Sequence, residues 1–193
     1  MNLLKIKATT KSRSVANTIK SNVCASIINN PIFIGNSVNF NVRTIKILGI
    51  KHNINLYYKN VKVPTMNVKN QTLEIILPNK YKKFQEEQIL KVLTQKLYDK
   101  IAETEIEKIM EKVRIETGLA PEDYEIKRIN KSLANCNVEN SFITINPDIV
   151  AYDEKTIEYV ILHEFCHLKY KIRTKNFWKM IGTYMPNYEQ YAV

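Results

Sequence analysis

The sequence lacks the features that would place a protein in a membrane or in the secretory pathway. No apolar run approaches the roughly 18 residues of a membrane-spanning helix, and the start, MNLLKIKATTKSRS, has no apolar region of about 7 to 15 residues like that of a secretory signal. Cysteine is also scarce, since Cys24, Cys136 and Cys166 are odd in number, widely spaced and without a C-x-x-C pair. These absences argue against a disulfide framework. We therefore expect a cytoplasmic protein with reduced thiols and no membrane contact.

A cluster of arginines and aromatics is missing as well, although the chain is strongly basic. It has 29 Lys and Arg against 19 Asp and Glu, a formal charge of +10 that could attract nucleic acid or acidic partners. The lysines are scattered, however, and no arginine-rich stretch alternates with aromatics of the kind that stack on bases. We therefore favour a solvated, lysine-rich surface over nucleic-acid binding.

The chain does contain enough apolar residues for a buried core, 45% of 193 residues. The segment NVRTIKILGIKHNINLYY alternates polar and apolar residues around Gly49, and QTLEIILP stops at Pro78. Both patterns predict half-buried strands of a small antiparallel sheet. Residues 1–35 alternate only weakly and receive no assignment. From the predicted strands we expect a β-rich N-terminal part over residues 1–80.

Residues 81–193 show the signals of helices and further strands. Apolar residues recur at helical spacing from about Phe84 to Thr117, and Gly118 follows where a C-cap would stand, which predicts one long helix or two in succession. YEIKRI and SFITIN predict strands separated by the turn-rich NKSLANCNVEN. Asp153 and Thr174 are good N-caps for two further helices, the second of them shorter. Together these elements predict an α+β fold.

The segment ILHEFCHLKY carries the residues that point to chemistry. His163 and His167 stand four positions apart, so on a helix both imidazoles project from one face and can bind one zinc ion at about 2.0–2.1 Å. Glu164 lies about 100° around the helix, where it can act as general base, as in H-E-x-x-H proteases. The alternative is two core histidines with ordinary partners. Because unpaired polar groups are costly in so apolar a helix, we favour the zinc site.

A catalytic zinc usually has three protein ligands, and the sequence offers no clear third one. Glu189 follows His167 by 22 residues, near the separation used by proteases with a carboxylate third ligand. We treat Cys166 as a small core residue and His52 as a surface residue of its strand. The weaker candidates for the third ligand are His52, Cys136 and Asp153. An intact site, a two-histidine site completed by water, and a site without metal all stay open.

The run YVILHEFCHLKY, followed by NFW and MPNY, resembles the C-terminal half of the YgjP-like metallopeptidases. That family shows a pattern similar to Y-V-x-x-H-E-L-C-H-L, N-H-S-x-x-F-W and a later P-x-Y. Upstream, IKRI, ANC and ITIN stand where the family has R-M-K-x-R-W-G-S-C and I-x-L-N. The resemblance implies a zincin-like domain over residues 81–193, zinc as cofactor and a peptide or protein as substrate. It also implies that His163 and His167 bind the metal and that Glu164 is catalytic.

The chain departs from the family pattern at the place of the third ligand. The family takes that ligand from the His of N-H-S, and Arg173 stands at the equivalent position. A guanidinium stays protonated and has no lone pair to donate to a metal. The W-G-S-C segment is also altered, to LANC, whereas Thr174 keeps the capping role of the family's Ser. We therefore expect the local fold to persist even if the metal site is weakened.

Three functions follow as expectations. The first is a zinc-dependent peptidase of the YgjP-like type, weakened or lost, in which Ile143, Thr144, Ile145 and Asn146 form the sheet edge that binds an extended peptide. The alternative for that strand is an interior position. The second function is an inactive peptide-binding module on the same fold. The third is a DNA-associated protease resembling the SprT-like group, which the charge favours, although that group's distant third histidine and cysteine zinc ribbon are missing.

Overall fold

Two small sheets and three α-helices make up most of the regular structure in the residues that the computed structural model describes, 43–193. The weakly patterned residues 1–35 and Cys24 lie outside this range. The strands are β1 (Thr44–Ile47), β2 (Ile50–Lys59), β3 (Thr65–Lys69), β4 (Thr72–Pro78), β5 (Asp123–Ile126), β6 (Ala134–Asn137) and β7 (Phe142–Ile145). The helices are α1 (Glu86–Thr117), α2 (Glu154–Lys169) and α3 (Lys175–Tyr184). This arrangement confirms the α+β class.

The first sheet has the strand order β1-β2-β4-β3 and is mixed rather than wholly antiparallel. β1 pairs antiparallel with β2, and β3 pairs antiparallel with β4, but β2 and β4 run parallel from Asn53 opposite Thr72 to Lys59 opposite Pro78. The prediction of an antiparallel sheet was wrong in this respect. β3, which the sequence analysis did not identify, forms a hairpin with β4 and takes the outer position, so β4 lies between it and β2.

Helix α1 is one continuous helix that connects the two halves of the described chain. It ends at Gly118, which adopts the left-handed conformation with φ of 68° and donates its N–H to the Arg114 carbonyl oxygen at 2.9 Å. Tyr98 of α1 donates its hydroxyl hydrogen to the Lys46 carbonyl oxygen in β1 at 2.7 Å. The C-cap prediction is confirmed, and α1 holds the first sheet against the rest of the fold.

The second sheet has the order β5-β7-β6, with β7 in the middle. β7 pairs parallel with β5 and antiparallel with β6. β6 falls inside the segment that the sequence predicts as turns, because Asn and Ser are typical turn residues. Ala134 is nevertheless buried and Asn135 exposed, so the strand buries one face, and pairing with β7 outweighs its low intrinsic strand preference.

Helices α2 and α3 begin where the capping residues predict. The Asp153 carboxylate accepts hydrogen bonds from the backbone N–H and the hydroxyl of Thr156, at 3.0 and 2.9 Å. The Thr174 hydroxyl accepts the Phe177 N–H at 3.4 Å. Eleven consecutive residues of α2, from Thr156 to Cys166, are buried, so this helix runs through the interior. Of the helices in the described part of the chain, none has the length and apolar character to cross a bilayer.

Candidate active site

Helix α2 places His163 and His167 one turn apart on the same face, as their spacing predicts. Their ring centroids are 5.1 Å apart. His163 and Glu164 are buried, with 7% and 8% of their surface exposed, and His167 near the end of the helix is half-buried. The structure therefore brings the two histidines and the glutamate together in an interior position.

His163 is the most unusual of the three side chains. The rings of Tyr159, Phe177 and Trp178 surround it at centroid distances of 5.8, 4.9 and 5.7 Å. Both of its ring nitrogens are buried, and neither has a hydrogen-bond partner among the described residues. Burial, with a further contribution from the charge of Arg173, lowers the pKa of His163 to about 4. The imidazole is therefore neutral near pH 7 and carries an unshared lone pair in a position where an unsatisfied polar group is costly.

His167 is oriented by the end of its own helix. Its Nδ1 lies 3.1 Å from the carbonyl oxygen of Tyr170. A carbonyl can only accept, so Nδ1 carries the hydrogen in this contact and the lone pair stands on Nε2. Burial lowers the pKa of His167 as well. A carbonyl on the second ring nitrogen is the usual support of a metal-binding histidine.

Glu164 lies between the interior of the fold and strand β6. Burial raises the pKa of its carboxyl group to about 7, against the opposing effects of a hydrogen bond from the Cys136 backbone N–H and the charge of Arg173. A general base works best when its pKa lies near the operating pH. The raised pKa of Glu164 falls in this range.

One cavity of about 790 Å³ opens onto the site. His163, Glu164 and Arg173 lie in its wall, together with the aromatic rings of Tyr159 and Trp178. The positive charge of Arg173 acts on both histidines and on Glu164. The cavity thus combines a buried histidine, a carboxyl group and the exposed cation of Arg173.

The structure does not bring Glu189 to the two histidines. Within residues 43–193, no three His, Cys, Asp or Glu side chains are grouped so that they could hold a metal ion. Glu189 is exposed in the short 3-10 helix Tyr188–Tyr191, where it hydrogen-bonds to Tyr188, and it is not in the cavity wall. A third ligand is therefore missing from the described part of the chain.

The weaker candidates for the third ligand have other positions. Asp153 caps α2 at its N-terminus, more than two turns before His163. His52 was predicted to be a surface residue of its strand, but it is buried in β2, with Nδ1 2.9 Å from the Ile50 carbonyl oxygen. Cys136 lies near Glu164, and burial raises the pKa of its thiol to about 11, which disfavours the thiolate that binds metal. Cys166 is fully buried in the core, as predicted.

The strand expected to bind substrate is an interior strand. β7 has neighbours on both sides, so the prediction that Ile143–Asn146 forms the sheet edge was wrong. Asn146 still lies in the cavity wall, but its side chain is engaged with the Ile129 and Ser132 carbonyl oxygens. The edge next to Glu164 belongs to β6, whose signal in the sequence was the small residues Ala134 and Cys136 at alternate positions.

Comparison with known families identifies the class of this chain. Residues 36–192 match the model described as YgjP-like, metallopeptidase domain, which covers most of the sequence. The chain belongs to the YgjP-like metallopeptidase family, and the resemblance of its motifs to that family is confirmed.

Two solved structures are similar to part of this chain. The metallopeptidase zymogen of Pyrococcus abyssi abylysin is 21% identical with a TM-score of 0.41, over 45% of this chain and 87% of the other. The metallopeptidase zymogen of Methanocaldococcus jannaschii jannalysin is 24% identical with a TM-score of 0.40, over 45% of this chain and 81% of the other. Comparison with curated proteins finds no match.

Proposed function

We propose that this protein is a zinc-dependent peptidase in which Glu164 is the general base and His163 and His167 hold the metal. The observation that carries the proposal is the state of His163, a neutral and buried imidazole whose two nitrogens have no partner among the described residues. A buried polar group of this kind costs free energy unless something binds it. A metal ion would satisfy it.

The site offers two side chains that suit zinc as ligands, and the third protein ligand is missing from the described residues. His163 and the Nε2 atom of His167 are neutral imidazole donors of the kind that zinc prefers. The described residues supply no third ligand, and Arg173 adds a positive charge nearby. We therefore propose a zinc site weaker than the usual one with three protein ligands, in which water takes the remaining positions.

Zinc held by His163 and His167 would supply a Lewis acid that polarises a peptide carbonyl and lowers the pKa of water. The chain's own contribution is proton transfer and the exclusion of solvent. Glu164 accepts a proton from the attacking water and passes it to the amine that leaves when the peptide bond breaks. The rings of Phe177 and Trp178 beside His163 keep bulk water from the buried side of the site.

Strand β6 is the proposed platform for the substrate. It is an outer strand of its sheet, and the Cys136 backbone N–H on this strand reaches Glu164. An extended peptide that pairs with an edge strand gains main-chain hydrogen bonds, and its alternate side chains enter pockets. Pairing with β6 would bring the scissile bond next to Glu164.

A second candidate is a peptide-binding module on the same fold that does not cleave its ligand. The missing third ligand and the cation of Arg173 favour it. Both candidates use the cavity and β6, and they differ in whether zinc is present and peptide is hydrolysed.

Elemental analysis of the purified full chain separates the two candidates. We expect stoichiometric zinc and peptide hydrolysis in wild type, and loss of both in His163→Ala. His52→Gln is the matched control, because His52 is also a buried histidine but lies in β2. Circular dichroism would confirm that each variant is folded. Zinc-free wild type without hydrolysis would exclude the peptidase and leave the binding module.

A further inference from the structure

The cavity beside Glu164 contains an arginine that forms no ion pair within the described residues. Of the four arginines in residues 43–193, three form ion pairs with carboxylates: Arg43 with Glu86, Arg114 with Glu111, and Arg128 with Asp99 and Asp148. Arg173 forms no ion pair and no hydrogen bond within the described residues. Its side chain is exposed and lies in the cavity wall with His163 and Glu164. Its guanidinium is therefore available to a ligand in the cavity.

The residue after Arg173 is held by hydrogen bonds. This residue, Thr174, caps helix α3 through its hydroxyl group and donates its own N–H to the Ile172 carbonyl oxygen at 2.8 Å. Arg173 thus projects from a defined turn between the metal-binding helix and α3. A residue held in this way loses less entropy on binding than one in an unrestrained loop.

The cavity wall contains charged side chains of both signs. Lys131 is basic like Arg173, whereas Glu164 and Asp148 are acidic, and Arg128 already pairs with Asp148 at 3.5 Å. The guanidinium group presents its N–H donors in a planar fork that matches the two oxygens of a carboxylate. A peptide can supply a carboxylate from its C-terminus or from an Asp or Glu side chain.

We propose that the cavity selects peptides that carry a carboxylate, and that Arg173 is the residue that binds it. This selectivity deepens the proposed function, since it concerns the same cavity and rests on a peptide being the ligand. It makes Arg173 a specificity-determining residue. The position at which the family resemblance implies a third metal ligand would thereby recognise the substrate.

Calorimetric titration of the full chain with four peptides tests this selectivity. The protein is Glu164→Gln in zinc-containing buffer, so that bound peptide is not consumed. The peptides are N-acetyl tetra-alanine with a free C-terminus, the same peptide as its C-terminal amide, and two further amides with Glu or Gln at the third position. The first pair tests the terminal carboxylate as the source, and the second pair tests an acidic side chain.

In at least one of the two pairs, we expect the peptide with the carboxylate to bind about tenfold more tightly than its neutral partner. This is the gain in affinity that a hydrogen bond to a charged group gives. Adding Arg173→Gln should remove the preference, and Arg173→Lys should keep part of it. Arg43→Gln is the matched control, because Arg43 pairs with Glu86 and does not line this cavity, and it should leave the preference in place. The preference should also weaken with added salt.

Equal binding of both members in each pair would overturn the selectivity, as would a preference that persists in Arg173→Gln or the absence of binding by all four peptides. Failure of the peptidase proposal gives a different result. In that case wild type lacks zinc and hydrolysis, while the carboxylate preference and its dependence on Arg173 remain.

Discussion

Gly49 and Asp153 lie so close together that a Cβ atom on Gly49 would stand 2.8 Å from the Cβ atom of Asp153. Gly49 is in the turn between β1 and β2, with φ of 79°, and Asp153 caps the helix that carries the two histidines. Next to this contact, Leu48 donates its N–H to the Val150 carbonyl oxygen at 2.7 Å. The turn of the first sheet therefore packs directly against the beginning of α2.

Gly49→Ala should destabilise the protein for two reasons. The left-handed φ is unfavourable for alanine, and the new methyl group would force the turn away from Asp153. Gly118→Ala is the matched control, because Gly118 has φ of 68° but no atom within 4 Å of its Cβ position. We expect Gly49→Ala to lower the free energy of unfolding by about 1–3 kcal/mol more than Gly118→Ala does, measured by urea denaturation. Equal losses in the free energy of unfolding of the two variants would show that the turn at residue 49 can move away from Asp153 without a cost in stability.

Glu158 should make the stability of the protein depend on pH. This carboxylate is buried in α2 and accepts hydrogen bonds from Lys112 of α1 at 2.7 Å and from Lys155 at 3.1 Å. Burial alone would raise its pKa, but the two lysines outweigh burial and lower it below the usual 4.5. The carboxylate therefore stabilises the fold above pH 4.5 and loses this effect as the pH falls through its lowered pKa.

Glu158→Gln tests this contribution. At pH 7 we expect the substitution to reduce the free energy of unfolding by about 1–3 kcal/mol, and the difference from wild type should shrink towards pH 3. Glu154→Gln is the matched control, because Glu154 also pairs with a lysine of α1, Lys108, but both side chains are exposed. Its unfolding midpoint should stay near that of wild type. If the free energy of unfolding of Glu158→Gln differed from that of wild type equally at pH 7 and pH 3, the ionised carboxylate of Glu158 would not be the stabilising group.

The elements that the sequence predicted well are those with local signals. Asp153, Thr174 and Gly118 each mark a helix end, because a cap acts on backbone groups within a few residues of itself. The pairing of His163 with His167 is local in the same sense, since helical geometry alone places residues four positions apart on one face.

The features that the sequence did not predict depend on distant pairing. β6 is rich in asparagine, and its strand conformation comes from pairing with β7. His52 was predicted to be a surface residue, but it lies on the same strand face as Ile54, and the sheet buries both. A third metal ligand would also have to come from a residue distant in the sequence. Within the described chain, neither Glu189 nor any other predicted candidate forms a ligand group with the two histidines.

Glu164→Gln should abolish peptide hydrolysis and leave the zinc content unchanged. The amide keeps the shape of the side chain but cannot accept the proton, and general-base catalysis contributes about 10² to 10⁴ in rate. The matched control is Glu154→Gln at the exposed start of the same helix, which should retain full activity. Hydrolysis rates and zinc content would be measured on the same preparations. A loss of less than about tenfold would argue against Glu164 as the base.

Arg173→His should raise the affinity for zinc. The substitution removes a cation whose charge acts on both histidines and adds a neutral imidazole beside the Thr174 cap. Three protein ligands are usual for catalytic zinc. A change in an outer-shell partner alters metal affinity by about 10 to 100-fold, so a new direct ligand should improve it by at least tenfold. Isothermal titration of the metal-free proteins with zinc measures the difference.

Arg173→Gln separates the two causes of that gain, because it removes the positive charge without supplying a nitrogen lone pair. If coordination is responsible, Arg173→His should bind zinc clearly more tightly than Arg173→Gln, and Arg173→Gln should exceed wild type only slightly. Equal and tight binding by all three proteins would mean that the native chain already supplies its third ligand, and Glu189→Ala would then be the next variant to titrate. Failure of wild type and Arg173→His alike to bind zinc would mean that the metal centre has been lost beyond this one position. In that case the buried, unpartnered nitrogens of His163 would belong to a cavity that binds peptide without cleaving it.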